Sequence, residues 1–493
     1  MYICNGLEVF MSIQNQKHRG KGIRIPGLLL VVFMFFILIF FVSVIISTKM
    51  LPTGLLAVVC AGCLISLLLI YFLTRDFRHK IRFVLGIIWS LLCLILCLCS
   101  GYYVRQTQNT LQKVSSPNVQ NSVISFYVRQ DDKAASLSDA TSYTFGILQT
   151  LDRKNTDKTL NQVSTEQGLT LDTSEYEGLT QLADALRTEQ IDGILLNQAY
   201  LDLYEELEGY ETFPEEIRTL STQQVEQVVE NILPEKTSSG SVINIYISGS
   251  DTRDSTLSAL TRSDVNIIAS VNTQTGEVLL LSTPRDYYVP LSISGGIPDK
   301  LTHAGIYGIQ VSMDTLSMLY DIQIDYYFKV NFTGFVDIVN SLGGIEVQSD
   351  YEFDSNGYHF TQGTNTLDGD AALAFCRERY SFSSGDRQRG RNQMAVIEGI
   401  IRKAASPSIL TSYTSILEGV QNCIDTNIPY DLMAELVRQQ LSQGTKWKVT
   451  TYSVDGTGDT QVPYSMSSRA YVMVPDMTTV EHAKELLAQI AGN

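Results

Sequence analysis

Three stretches without a charged residue, 26–47, 51–73 and 83–101, dominate the apolar pattern of the amino-terminal fifth of the chain. Each is close to the ~20 residues that a helix needs to cross the hydrocarbon core. A cleavable leader carries an apolar run of only ~7–15 residues, and soluble cores seldom present three such runs in succession. The pattern therefore predicts three transmembrane helices over 26–101. Residues 102–118 are polar and aperiodic and read as a stalk.

The alternation changes after residue 119. Apolar β-type runs at 123–128 and 143–148, a helical spacing of Leu179, Leu182, Ala183 and Leu186, and a buried-strand run at 191–196 predict a small α/β domain over 119–232. Pro234 and a Thr-Ser-Ser-Gly-Ser run mark a linker over 231–241. A second unit, 242–493, opens with a strand at 242–247. Apolar runs at 265–271 and 277–281 flank Asn272-Thr-Gln-Thr-Gly276, which is a hairpin signal. Helical spacing at 309–319 and 335–342 brackets a strand at 326–330, so a mixed sheet covered by helices is expected. The predicted class is α/β: a three-helix anchor, a small accessory domain, then a mixed sheet between helices.

Charge sets the topology. The 493 residues hold 36 Lys and Arg against 52 Asp and Glu. Up to Lys113 there are 11 basic and 2 acidic residues, so the remainder carries 25 basic against 50 acidic. Lys17, Arg19, Lys21 and Arg24 precede the first span, and Arg75, Arg78, Lys80 and Arg82 lie between the second and third. Cationic loops stay in the cytoplasm, which puts residues 1–25 inside and everything past the third span outside. Met11 would serve this topology as well as Met1. An acidic exterior excludes nucleic acid as a partner, because phosphate affinity comes from Lys and Arg. With Cys4 on the cytoplasmic side and five cysteines in the spans, Cys376 and Cys423 alone fall outside the cell, too few for a disulfide framework, and both are expected free and buried.

Against that acidic background, Arg377, Arg379, Arg387, Arg389 and Arg391 fall within fifteen positions. A solvated, ion-paired face is one reading. The other is an anion site: Arg377 and Arg379 share a side if the chain is extended there, and Arg389 and Gln393 are one helical turn apart. Guanidinium forks match phosphate oxygens in pairs. Asp251 follows a strand and Asp264 precedes one, and Mg²⁺ is commonly held by one or two carboxylates plus substrate phosphates. Arg285 could reach the same anion or pair with Asp286, and Lys300 is a further cation nearby in sequence. His303, His359 and His482 are too scattered for a zinc site. Cys376, beside Arg377, reads as a buried helix cysteine rather than an activated thiol.

Taken in order, Ser248-Gly-Ser-Asp-Thr-Arg, Arg262-Ser-Asp264, Pro284-Arg-Asp286, Leu367-Asp-Gly-Asp-Ala-Ala-Leu-Ala-Phe-Cys-Arg-Glu-Arg379 and Gly385-Asp-Arg-Gln-Arg-Gly-Arg-Asn-Gln393 resemble the LytR-CpsA-Psr family over about 242–403. The three spans and intervening domain resemble its capsule-type branch, although most members have one span. The resemblance implies a phosphotransferase that joins glycopolymer, here capsular polysaccharide, from a polyprenyl diphosphate carrier to peptidoglycan, with the membrane and the capsule assembly machinery as further partners. It implies Mg²⁺ on Asp251 and Asp264, and Arg285, Lys300, Arg377, Arg379, Arg389 and Gln393 on the diphosphate. Asn392 stands where many members have arginine and is left out. A glycolipid-binding regulator of capsule assembly and a polyprenyl diphosphate hydrolase are the alternatives. The lipid tail is expected in a groove built from strands 267–271 and 278–281 and the helix 311–319.

Overall fold

The computed structural model describes residues 25–75, 79–114, 119–228, 241–250, 260–406, 424–466 and 468–492. The chain divides into two compact units, one of residues 1–112 and 430–445, the other of residues 113–429 and 446–493.

The first unit holds α1 (Ile25–Ser47), α2 (Thr53–Thr74) and the start of α3 (Lys80–Val114), three helices long and apolar enough to cross a membrane. Most of their large apolar side chains are exposed, as lipid-facing helices require. Small residues bring α1 and α2 together: a Cβ at Gly27 would lie 2.3 Å from the Thr74 carbonyl oxygen. The segment expected as a stalk is instead a continuation of α3 as far as Val114. Helices need no apolar stripe where solvent or lipid surrounds them, so aperiodicity misled the reading.

In the second unit, β1 (Val119–Arg129), β2 (Thr144–Leu148), β3 (Asp172–Tyr176), β4 (Gly193–Asn197) and β5 (Ile217–Val228) form a sheet in the order β3-β2-β4-β1-β5. Helices α4 (Arg153–Gln167) and α5 (Leu179–Arg187) pack on it. The short α6 (Leu201–Tyr204) and α7 (Phe213–Glu216) lie between β4 and β5. Helix α4 was not expected: its apolar content is one leucine and one valine, and the buried side of the helix is Asn155, Thr156, Thr159 and Val163.

The second sheet has the order β16-β11-β6-β7-β8-β17, with β6 (Val242–Ser250), β7 (Val265–Asn272), β8 (Glu277–Ser282), β11 (Tyr326–Asn331), β16 (Ile424–Thr426) and β17 (Lys448–Ser453). A small ladder joins β9 (Tyr288–Pro290) to β10 (Pro298–Lys300). The β7–β8 turn is built as read: Asn272 Oδ1 accepts from the Gln274 and Thr275 amides at 3.0 and 3.1 Å, and Gly276 sits at φ 73°.

Period-two alternation divides the sheet's faces. Tyr246, Ile268, Leu279, Leu281 and Tyr327 pack against α8 (Ile309–Tyr320) and the last helix, Met477–Ala491. The other face looks toward α9 (Phe332–Ser341), α10 (Gly369–Arg377) and α11 (Asp386–Ala404). Small ladders of β12 (Ile345–Ser349) with β15 (Gly363–Leu367), and of β13 (Phe353–Ser355) with β14 (Tyr358–Phe360), support α10. β18 (Gly456–Gln461) and β19 (Ala470–Pro475) form a hairpin beside β9. The remaining helix, α12 (Tyr430–Gln443), belongs to the first unit, where Lys49 Nζ meets Asp431 Oδ1 at 3.0 Å and the Tyr430 hydroxyl donates to the Thr48 carbonyl.

The two α/β layers share a core. Ile306, Met466 and Ala470 pack with Leu179, Tyr200, Leu207 and Phe213. The linker positions 229–240, the amino-terminal 24 residues and Cys423 lie outside the described residues. Cys376 is free and buried on α10, and burial pushes its thiol far above the ordinary range.

Candidate functional site

Between the second sheet and α9–α11 is a cavity of about 840 Å³. Its apolar wall comes from alternate strand positions, Ile245 and Ile247 of β6, Ala269 and Val271 of β7, and Phe328 and Val330 of β11. Helix α11 closes it with a single face that changes character along its length: Arg389 and Gln393 come first, then Ile397, Ile400 and Ile401. The expected groove helix, 311–319, does not take part. It packs as α8 on the opposite face of the sheet, because Met313 and Leu316 join the core there. The strand residues expected in the groove divide between the faces, Ala269, Val271 and Val278 lining the cavity and Ile268, Leu279 and Leu281 turning away.

The charged end of the cavity lies at the carboxyl ends of the parallel pair β6 and β11. Here Asp264, Arg285, Arg377, Arg379, Arg389 and Gln393 converge. Asp368 caps α10 by accepting from the Ala371 amide at 2.9 Å, and the helix ends at Arg377. Glu378 is extended, so Arg377 and Arg379 reach the same cavity. Arg377 stacks on Phe332 with its guanidinium carbon 4.6 Å from the ring centre, and Arg379 lies on Tyr380 at 4.7 Å. Gly385 at φ 53° turns the chain into α11, which delivers Arg389 one turn on, paired with Asp386. Burial, together with the neighbouring Arg285 and Arg379 charges, lowers Arg389 below the ordinary arginine range.

Arg285 Nη1 donates to Asp264 Oδ1 at 2.8 Å, and its Nε is 3.6 Å from Asp286 Oδ2. Burial works against the Arg285 charge, but the two carboxylates more than restore it. That Nε is buried and has no hydrogen-bond acceptor among the described residues, an orphan donor of the kind an anion satisfies. Asp251 lies outside the described residues. Among the described residues no group of three metal-type ligands assembles. Asp264, beside Arg285, offers a hard carboxylate at the charged end, which fits a cation held by one or two protein carboxylates and completed by phosphate oxygens.

Lys300 does not line this cavity. It lies behind it, with only 4 % of its side chain exposed, between Asp286 Oδ1 at 2.7 Å and Glu206 Oε2 at 2.6 Å. Glu206 is the residue that sequence reading missed. It follows α6 in the first α/β layer, yet it also accepts from Arg262 Nη1 at 2.8 Å and has His303 Nε2 at 3.8 Å. Burial opposes its charge, but the nearby His303 ring and the charge of Lys300 hold the carboxyl well below its usual range. His303 is fully buried with Nδ1 2.7 Å from Asp299 Oδ1, and its pKa is raised against burial by that carboxylate and by Glu206. No local motif announces Glu206, since its partner Lys300 is 94 positions away.

An α/β protein whose cavity runs from an aliphatic wall to clustered guanidiniums is built to take an amphiphile with an anionic head. The family model described as the LytR_cpsA_psr family matches residues 204–487, and the chain belongs to that family. The protein of Bacillus cereus (strain AH820) called polyisoprenyl-teichoic acid--peptidoglycan teichoic acid transferase TagU is 36% identical over 203 residues, 41% of this chain and 66% of that protein. The match thus spans slightly less than two thirds of that relative's length. The TagU of Bacillus subtilis (strain 168) is 36% identical over 216 residues, 44% of this chain and 69% of that one. The crystal structure of B. subtilis TagV aligns with a TM-score of 0.44 at 26% identity, covering 52% of this chain and 99% of that chain.

Proposed function

We propose that this protein is a membrane-anchored phosphotransferase that moves a glycopolymer from a polyisoprenyl diphosphate carrier to peptidoglycan. The observation that carries the reading is one cavity with two chemistries: aliphatic side chains suited to an isoprenoid tail lead directly to Arg285, Arg377, Arg379, Arg389 and Gln393. The orphan Arg285 Nε supplies a further donor for phosphate. The names of the B. cereus and B. subtilis relatives support the same donor and acceptor classes.

Phosphoryl transfer requires positioned reactants and stabilised charge more than covalent help from the protein. The tail, held by Ile245, Ile247, Val271 and Ile397, fixes the depth at which the diphosphate stops. Arg377 and Arg379, stacked on Phe332 and Tyr380, reach the phosphate oxygens from a preset geometry. Arg389, desolvated, contributes its charge where water competes least. Gln393 donates to a phosphate oxygen or holds the neighbouring guanidinium. Mg²⁺ would be held by Asp264 and Asp251 and would supply charge neutralisation on the diphosphate when bound. Arg285 holds the Asp264 carboxylate in place for that task.

We assign capsular polysaccharide as the glycan, on the three spans and first α/β layer that precede most of the family region. The cationic flanks of the spans support a cytoplasmic amino terminus and an extracellular site. Mass spectrometry of products formed from lipid-linked donor and peptidoglycan, with Mg²⁺ present or chelated, tests the proposal. A phosphodiester conjugate with release of polyisoprenyl phosphate is expected only when Mg²⁺ is present. Free polymer alone would make the protein a hydrolase, and unconverted donor would make it a glycolipid binder.

A further inference from the structure

Adjoining the first cavity, and sharing Glu206, Arg285 and Arg379 with it, is a second cavity of about 340 Å³. Its remaining walls include Asp286, Lys300 and Tyr471. Where the first cavity is lined largely by aliphatic groups, this one is lined by charges of both signs and one aromatic ring. A lipid tail has nothing to gain there.

We propose that the second cavity is the acceptor subsite, taking a saccharide whose free hydroxyl attacks the donor; the assignment rests on the transferase reading above. Displacement at phosphorus places the attacking and leaving oxygens roughly in line. The leaving oxygen is the bridging oxygen that departs with the isoprenoid phosphate, whose chain occupies the aliphatic cavity. The attacking oxygen must therefore come from a direction other than the aliphatic cavity, and the second cavity opens on the same Arg285 and Arg379. Tyr471 is 54% exposed on β19. Its ring lies over Gly458 of the partner strand β18, where a Cβ would approach the ring to 3.0 Å. One face of the ring rests on glycine and the other is available to the C–H face of a pyranose. The mixed carboxylates and guanidiniums around it suit the alternating donors and acceptors of sugar hydroxyls.

Asp286 is the base the cavity offers. It is buried, held by Lys300 at 2.7 Å and faced by Arg285 at 3.6 Å. The acceptor hydroxyl oxygen forms a bond to the phosphorus that carries the glycan, and its proton passes to the Asp286 carboxylate. The bond from that phosphorus to the bridging oxygen breaks, and polyisoprenyl phosphate departs with the electron pair. The product is a phosphodiester, and Asp286 later returns its proton to water.

The test uses the full chain in lipid nanodiscs with an undecaprenyl diphosphate disaccharide as donor and an uncross-linked peptidoglycan tetrasaccharide as acceptor. Tyr471→Ala should raise the acceptor KM about tenfold with the donor KM unmoved, and Tyr471→Trp should restore most of it. Asp286→Asn should lower kcat by about 10²-fold or more. An acceptor KM that stays put, or a donor KM that rises in step with it, would overturn the subsite. Binding of the tetrasaccharide without donor, followed by calorimetry, separates this idea from the reading beneath it. Binding lost in Tyr471→Ala supports the subsite even if the wild type forms no conjugate, an outcome that would sink the transferase reading alone. Equal binding in both proteins refutes the subsite even if transfer proceeds.

Discussion

Glu206 and Asp152 are two partly or wholly enclosed carboxylates whose environments push them in opposite directions. Glu206 is depressed, so its stabilising charge is present above the ordinary glutamate pKa and is lost as pH falls below it. Glu206→Gln should remove that acid sensitivity. It should also cost roughly 2–4 kcal/mol at neutral pH, because Lys300 and Arg262 lose a buried partner. Thermal melts of the solubilised full chain from pH 3 to 7 measure both. Asp152 sits at φ 53° and accepts from Asn155 and Asn197 at 2.5 and 2.7 Å, but burial raises it to about 6. The folded form thus binds the proton more tightly than the unfolded one, and its contribution to stability falls as pH rises from about 4 to 6. Asp152→Asn, which tolerates the left-handed backbone, should flatten that fall in the same melts. At the charged end of the cavity, Arg377→Ala or Arg379→Ala should reduce transfer by about 10²–10³-fold in the donor–acceptor assay while leaving the melting temperature within a few degrees. These arginines were legible as a local excess of one charge in an acidic domain. Glu206 was not, since an acidic residue among many has no local mark of its pairing.

Among elements, α11 does the most to organise the cavity, and its position depends on one glycine. A Cβ at Gly399 would lie 2.7 Å from the Glu346 carbonyl oxygen of β12. Gly399→Ala should therefore force α11 away from β12, costing about 1–3 kcal/mol and weakening donor affinity through displaced Arg389 and Gln393. Denaturant unfolding and a donor titration of the same variant check the two effects. The pattern of apolar residues identified β6, β7, β8, β11, α5 and α8 with small errors at their ends. It did not show which face of the sheet α8 covers, and it missed α4. Amphipathic spacing reports that a face is buried but is silent on its partner, and a helix buried through Asn and Thr has no apolar spacing to report.

At the scale of the molecule, the two α/β layers behave as one body. Removing residues 119–228 would expose Ile306, Met466 and Ala470 and leave Lys300 without Glu206. A fragment starting at residue 242 should therefore aggregate or melt well below a fragment starting at residue 119, as light scattering during heating would show. Length, hydropathy and charge sufficed to determine three apolar helices of spanning length, an α/β class for the rest of the chain and the identity of most cavity arginines, because these depend on local composition and on periodicity along one element. Tertiary structure alone decided that the aliphatic wall and the guanidiniums form a single cavity, that Lys300 stands behind it, and that a residue of the first layer completes its ion pairs. Those facts depend on side chains far apart in sequence meeting where water is excluded, and neither spacing nor composition records such meetings.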